Sequence, residues 1–286
     1  MSPQNLKKNL TNWDLVSVNP NEKNWDWKVL FCFWGVNIQS VIGFSLITSL
    51  YVIYDLNTFV VLIGTILGTL LVYFFSNWIG KPSQKYGLPF IVLLRSSLGI
   101  KGARYFGLIK FFVGIFLFGI QTYFLSKAFS YLIRITIFLI EPSLLDQQIF
   151  LIFLLGMNLI DWIAIVLTII LQGFLFSAGM NLNKKIIIFS ATATYFGMLF
   201  FFLSVLLNDV QFTSQAFLNT LNISNFFDKN NFGPLMTVTG TIFAYFAIII
   251  LNFGDFSRYV KDENQLKKGN LSLIFNLIIF SSFALF

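Results

Sequence analysis

The stretch VLFCFWGVNIQSVIGFSLITSLYVIY, residues 29–54, carries no charged side chain and decides the fold class. A helix rises about 1.5 Å per residue, so roughly twenty such residues cross the hydrocarbon core of a bilayer. Three more charge-free runs reach that length: Leu56–Gly80, Ile186–Asn208 and Phe232–Gly254. The sequence therefore predicts an all-α polytopic membrane protein.

The composition leads to the same fold class. Of the 286 residues, 57% are apolar and only 11% are charged, and 37 are phenylalanine. A soluble globule of this size needs more polar side chains than that to cover its surface. These proportions exclude the water-soluble classes.

Two further spans contain or border charged residues. Phe111–Ser126 is short, but its flanking basic side chains can snorkel to the headgroups, which predicts a helix over about residues 103–135. A span within Ile149–Ala178 contains Asp161, which is either a proton-coupling carboxylate or, more simply, an interfacial residue. This gives six spans, and Leu271–Phe286 begins a seventh.

The basic residues predict the orientation. If the N-terminus is cytoplasmic, sixteen of the nineteen Lys and Arg residues fall inside, and only Lys127, Arg134 and Lys229 fall outside. We expect residues 1–27 to form a cytoplasmic segment and residues 28–286 a transporter domain in the plasma (inner) membrane. The net charge of +7 is thereby explained by membrane anchoring, without nucleic acid as a partner.

Enzymatic chemistry has few candidate residues. The chain has no histidine and one cysteine, Cys32, and no Asp/Glu cluster takes the place of a His-based site. We expect no enzyme activity, no resident metal and no cofactor. The polar start of the chain also lacks the features of a cleavable signal peptide.

Polar residues and glycines cluster in spans one and six. Span one carries Asn37 and Gln39 between Gly35 and Gly43, and span six carries Gly240 among three threonines. Such interrupted spans mark the binding site of inverted-repeat transporters, although a glycine in a membrane helix can also serve close packing alone.

Four motifs carry a family resemblance. They are NWDLVSVNPNEKNW (12–25), GKPSQKYGLPFIVLLRSSLGIKGA (80–103), FGIQTY (118–123) and NFGDFSRY (252–259). In this order the chain resembles the N-terminal portion of the nucleobase:cation symporter family. The resemblance implies a leucine-transporter-like five-plus-five inverted repeat, here truncated after the start of the seventh helix. It also implies import of cytosine, uracil, a purine, allantoin or a hydantoin, driven by a Na⁺ or H⁺ gradient.

The resemblance also assigns a substrate site. Gln121 would hydrogen-bond the N–H and C=O edge of the ring, although a bond to a neighbouring helix is the alternative. Phe246 would stack on the planar ring. Relatives usually have tryptophan where this chain has Leu117, so one aromatic wall is missing unless Phe116 or Phe118 replaces it. Asn37 and Gln39 of span one complete the predicted site.

The loop of residues 255–269 is predicted to be cytoplasmic and residues 207–232 to lie outside, which places a cytoplasmic mouth at the end of span six. Asn252 lies at the helix end, and Asp255 can pair with Arg258 or with a basic residue of the 81–104 segment. We interpret that segment as a tightly turned scaffold or inner gate. Arg95 holds it at the headgroups.

Two other interpretations remain open. A non-transporting structural subunit would not need polar, interrupted spans, and a channel-like subunit would show rings of pore-lining residues or a filter sequence. Since the chain stops within its seventh helix, we expect a fragment that inserts into a membrane but does not transport alone.

Overall fold

The computed structural model describes residues 15–38, 41–52, 58–146, 153–208, 210–211, 214–215, 218 and 231–285. Eight α-helices are described in these ranges: α1 Trp27–Ile38, α2 Val41–Val52, α3 Thr58–Tyr86, α4 Phe90–Ile140, α5 Leu159–Ser177, α6 Gly179–Asn208, α7 Phe232–Ser257 and α8 Glu263–Leu285. A minimal antiparallel hairpin, β1 Phe153–Leu154 and β2 Met157–Asn158, precedes α5.

Five of the described helices, α3 to α7, are long and apolar enough to cross a membrane. They coincide with the predicted spans two to six. This confirms an all-α polytopic architecture, in which every backbone N–H and C=O can be satisfied within its own helix. The order of an inverted repeat is not tested by these helices and stays a prediction.

The first span is described in two parts. α1 is described to Ile38 and α2 from Val41, and residues 39–40 between them lie outside the described residues, so the predicted interruption of this span stays a prediction. Gln39, one of the predicted site residues, lies outside the described residues.

The predicted interruption of the sixth span was wrong. α7 runs from Phe232 to Ser257 as one helix through Gly240. The hydroxyls of Thr237, Thr239 and Thr241 each donate to the carbonyl four residues earlier, at 2.7–3.0 Å. Because the threonines are satisfied within their own helix, their clustering does not break it.

The charged segment after the sixth span is shorter than predicted. Residues 255–269 were expected to form a loop, but α8 already begins at Glu263. The carboxylate of Asp262 accepts a hydrogen bond from the backbone N–H of Gln265 at 2.8 Å, as a helix N-cap does. A capping residue within the charged run therefore starts the helix.

Residues 80–103 are mostly helical, whereas the sequence predicted a tightly turned segment. α3 continues to Tyr86, residues 87–89 turn, and α4 follows at once. Gly87 and Gly99 adopt φ values of +68° and +66°, which an L side chain rarely takes. The glycines thus provide two sharp changes of direction between helical stretches.

The described chain falls into two compact units. Unit 1 comprises residues up to Gly99 and from Lys185 onward, and unit 2 comprises Ile100–Lys184. Unit 1 contains α1, α2, α3, α7 and α8 with most of α6, and unit 2 contains most of α4 with α5.

Close packing of α3 on α7 forms the centre of unit 1. A Cβ on Gly64 would lie 2.8 Å from Val238, and one on Gly68 would lie 2.8 Å from the Cβ of Ile242. The hydroxyl of Thr239 also donates to the carbonyl of Gly64 at 3.3 Å. Glycines four residues apart therefore let two membrane helices touch backbone to side chain.

Candidate functional site

The end of α1 is fixed by neighbouring helices of unit 1. Gly35 allows α8 and α6 to approach, since a Cβ there would lie 3.1 Å from the Oδ1 of Asn276 and from the ring of Tyr195. Asn37 donates from its amide to the carbonyl of Phe33 at 2.7 Å. The carbonyl of Asn37 accepts from the hydroxyl of Tyr245 at 3.1 Å, which connects α1 to α7.

Phe246, the predicted stacking residue, lies in the aromatic core of unit 1. Only 1% of it is exposed, and its ring meets the edge of Trp34 with the centroids 6.2 Å apart. Trp34 in turn stacks on Phe253 at 5.3 Å. Phe246 thus packs against α1, the helix that bears Asn37, and its role in stacking on a substrate stays a prediction.

The segment before α1 closes one end of unit 1 through an isolated parallel β-bridge between Trp25 and Val260. The N–H of Trp25 donates to the carbonyl of Tyr259, and the carbonyl of Trp25 accepts from the N–H of Lys261, both at 3.0 Å. The indole ring is 1% exposed and contacts Phe33, Phe256 and Tyr259. We call these four aromatic residues the Trp25 cluster.

Hydrogen bonds also join α3 to this end of unit 1. The amide of Gln84 donates to the carbonyls of Val260 and Lys261 at 3.3 and 3.2 Å. Ser257 donates to the carbonyl of Gly80 at 3.0 Å. The ammonium of Lys23 donates to the carbonyl of Gln84, and burial lowers the pKa of Lys23. Three chain segments distant in sequence are thereby joined at one point.

The predicted mouth residues have distinct surroundings. The carboxylate of Asp255 accepts from the N–H of Phe90 at 3.0 Å, where a negative charge stabilises the first turn of α4. Arg258 is 7% exposed, donates to the carbonyl of Asp255 at 3.2 Å and lies over the ring of Tyr259. Asn252 donates to the carbonyl of Ile248, and Arg95 is exposed.

Unit 2 carries the other predicted site residues. Gln121 is exposed and Leu117 is half-buried, four residues apart and so on the same face of α4. Next to them, the hydroxyl of Thr122 donates to the Oε1 of Gln172 at 3.1 Å, which links α4 to α5. In the part of the chain that the structure describes, no hydrogen bond engages the Gln121 amide.

Asp161 is tied to α4 in the first turn of α5. Its carboxylate lies 3.2 Å from the ammonium of Lys127 and 3.8 Å from the guanidinium of Arg134, and it accepts from Ser130 at 2.6 Å. Asn158 caps the same turn by accepting from the N–H of Asp161 at 2.9 Å. Its place in the first turn agrees with the interpretation of Asp161 as a residue near the end of its span.

Sequence reasoning missed the Trp25 cluster and the pairing of Asp161. A tryptophan within the polar segment before span one was the available signal for the first. The available signal for the pairing of Asp161 was the presence of Lys127 and Arg134 seven residues apart on one helix face. Two cations beside a membrane span need a carboxylate partner.

Comparison with known proteins gives a consistent result. The family model described as "Permease for cytosine/purines, uracil, thiamine, allantoin" matches residues 17–286. The chain is 31% identical over 130 residues to the allantoin permease of Bacillus subtilis (strain 168), covering 46% of this chain and 26% of that protein. It is 25% identical over 268 residues to the purine-uracil permease NCS1 of Arabidopsis thaliana, covering 92% of this chain and 42% of that protein.

A third relative is the putative allantoin permease of Escherichia coli (strain K12), 27% identical over 111 residues, which are 38% of this chain and 23% of that protein. The chain thus spans less than half the length of these curated relatives. No solved structure matches it. Its relatives are permeases and not enzymes. The extent of the family match, together with the membrane-crossing helices, shows that the chain belongs to the family of permeases for cytosine/purines, uracil, thiamine and allantoin.

Proposed function

We propose that this chain is part of a secondary active transporter that imports a nucleobase or a related planar heterocycle by alternating access, driven by a Na⁺ or H⁺ gradient. The observation that carries the proposal is the family match over residues 17–286. The names of the relatives favour allantoin, purines and uracil as the substrates to test first.

The substrate residues are proposed from the family resemblance, residue by residue. Gln121 supplies an amide that can donate to a ring carbonyl and accept from a ring N–H at once. Phe246 supplies a ring for stacking, Asn37 and Gln39 supply further polar groups, and Leu117 stands where relatives have an aromatic side chain. The absence of a hydrogen bond to Gln121 among the described residues supports this role.

The contacts around Trp25 are proposed to form the inner gate. The excess of basic residues predicts that this end of unit 1 faces the cytoplasm. The strand of Trp25, the end of α7 and the end of α3 meet there through backbone hydrogen bonds. Opening a path for substrate would require these contacts to separate, while Asp255 and Arg258 stay at the mouth.

The substrate assignment is tested by comparing two glutamines in the native protein that carries these residues. Gln121→Ala should weaken equilibrium binding of labelled substrate by about tenfold, since a hydrogen-bonding pair lost at a desolvated site costs about 1–2 kcal/mol. Gln172→Ala removes the same group from a bond between helices and is the matched control. Equal losses of binding in both variants would refute the role of Gln121.

The orientation is tested by cysteine labelling after replacement of Cys32. A cysteine at Asn264, an exposed position at the start of α8, should react with an impermeant maleimide only in permeabilised cells. A cysteine at Asn222, which lies outside the described residues, should react in intact cells. The opposite pattern would show that the N-terminus is outside.

A further inference from the structure

A groove between α3 and α8 is not part of the proposed substrate path. It has a volume of about 290 Å³, and its walls are largely apolar. Phe74 and Trp78 from α3 are 59% and 67% exposed along it, and Leu266 from α8 contributes to its lining. An open groove with two large exposed aromatic rings can hold a chain-like apolar ligand.

The charged rim of the groove is organised by one carboxylate. Glu263 lies 2.9 Å from the ammonium of Lys81 and 2.9 Å from that of Lys267. Both lysine side chains are more than half exposed. Each has three N–H donors and gives one to Glu263, so two donors on each lysine remain for a ligand. The rim thus carries two positive charges and one negative charge. Its net charge of +1 would be neutralised by one singly charged anion.

The groove has a fixed shape because α3 and α8 are joined below it. The amide of Asn270 donates to the Oδ1 of Asn77 at 3.1 Å, and its Oδ1 accepts from the indole N–H of Trp34 at 3.2 Å. Asn270 is fully buried. The lysines and the aromatic rings therefore stand on two helices whose spacing is set by an internal hydrogen-bond chain.

The order of residues along α3 matches the depth profile of a membrane leaflet. The charge-free run of α3 ends at Gly80, and Lys81 is the first charged residue after it. Trp78 lies one turn earlier, at the depth where tryptophan is enriched between hydrocarbon and headgroups. Phe74 lies one further turn into the apolar region. An acyl chain along the rings would thus place a phosphate beside the lysines.

We propose that this groove binds one anionic phospholipid from the leaflet that faces the basic loops, with its phosphate between Lys81 and Lys267 and an acyl chain along Phe74 and Trp78. Basic pockets between membrane helices on this side recognise anionic headgroups. The phosphodiester charge makes the rim electrically neutral. The inference requires only that α3 crosses the bilayer and is independent of the transported substrate.

The test measures lipid binding to the 286-residue chain in detergent by native mass spectrometry. Phosphatidylglycerol and phosphatidylcholine of the same acyl chains are added in competition. We expect phosphatidylglycerol to be retained in preference. The K81Q/K267Q variant should bind it roughly twenty-five-fold more weakly, because each lysine near an anionic lipid contributes about five-fold.

Two further variants distinguish the effect of removing charge from the effect of misfolding. K81R/K267R keeps both charges and should keep the preference. K101Q/K185Q removes two exposed lysines that do not line the groove and should also keep it. No preference in the unmodified chain, an equal loss in both glutamine variants, or a loss in the arginine variant would overturn the proposal. Displacement of the lipid by inorganic phosphate would assign the rim to a free anion and would also overturn it.

Discussion

Gly68→Ala should weaken the packing of α3 on α7. The added Cβ would lie 2.8 Å from the Cβ of Ile242 and 2.9 Å from the carbonyl oxygen of Thr239. Ordinary contact begins at 3.4 Å, so the helices must separate by about 0.6 Å or distort locally. Part of the obstacle is backbone, which cannot rotate away. Overpacking of this kind costs about 1–3 kcal/mol.

The matched control is Gly240→Ala on α7, where a Cβ would meet nothing within 4 Å. Both substitutions gain about 1 kcal/mol of helix propensity, so the difference between the variants isolates the contact. Thermal unfolding in detergent, followed by circular dichroism, should give a lower Tm for Gly68→Ala by roughly 2–4 °C per kcal/mol. Equal Tm values for the two variants would refute the close approach of the helices at Gly68.

Three further predictions concern Trp25, Asp161 and Glu263. Trp25→Ala should destabilise unit 1 by about 3–5 kcal/mol, measured as chemical unfolding in detergent, whereas Trp27→Ala, at a 41% exposed ring, should cost far less. Asp161→Asn should cost about 1–3 kcal/mol because Lys127 and Arg134 lose their carboxylate; a loss no larger than that of the exposed Glu141→Gln would contradict the pairing. Hydrogen bonds from Lys267 and then Lys81 lower the pKa of Glu263, so its contribution to stability is present above about pH 4.5 and is lost as the pH falls through the lowered value. Unfolding between pH 5 and pH 3 should therefore depend less on pH in Glu263→Gln, and an unchanged pH profile would contradict the ion pairs.

The helices were predictable because hydrocarbon leaves the backbone no other partner. The charge-free runs predicted five of the spans, which α3 to α7 confirm, whereas the interruption of the first span stays a prediction. The same reasoning failed at Gly240, since a threonine hydroxyl can bond back to its own helix. Composition gives the number of polar groups but does not show which of them already have a hydrogen-bond partner.

The candidate site residues come from short local motifs, and their roles stay predictions. The structure describes Asp255 as the acceptor of a hydrogen bond from the N–H of Phe90 and Gln121 as an exposed side chain. The strand of Trp25 pairs with residues more than 230 positions later, and no local pattern indicates such a partner. Contacts of this kind depend on how the helices pack, which a single sequence read by periodicity does not specify.

The central claim is that the native protein carrying these residues is a cation-driven transporter of a planar heterocycle. The most direct measurement is uptake of labelled allantoin, uracil, cytosine, a purine and a hydantoin into proteoliposomes, with a Na⁺ gradient, a proton gradient or none. We predict saturable uptake of at least one of these compounds, abolished when the coupling gradient is collapsed. Uptake of every compound at the level of protein-free vesicles under both gradients would contradict the account.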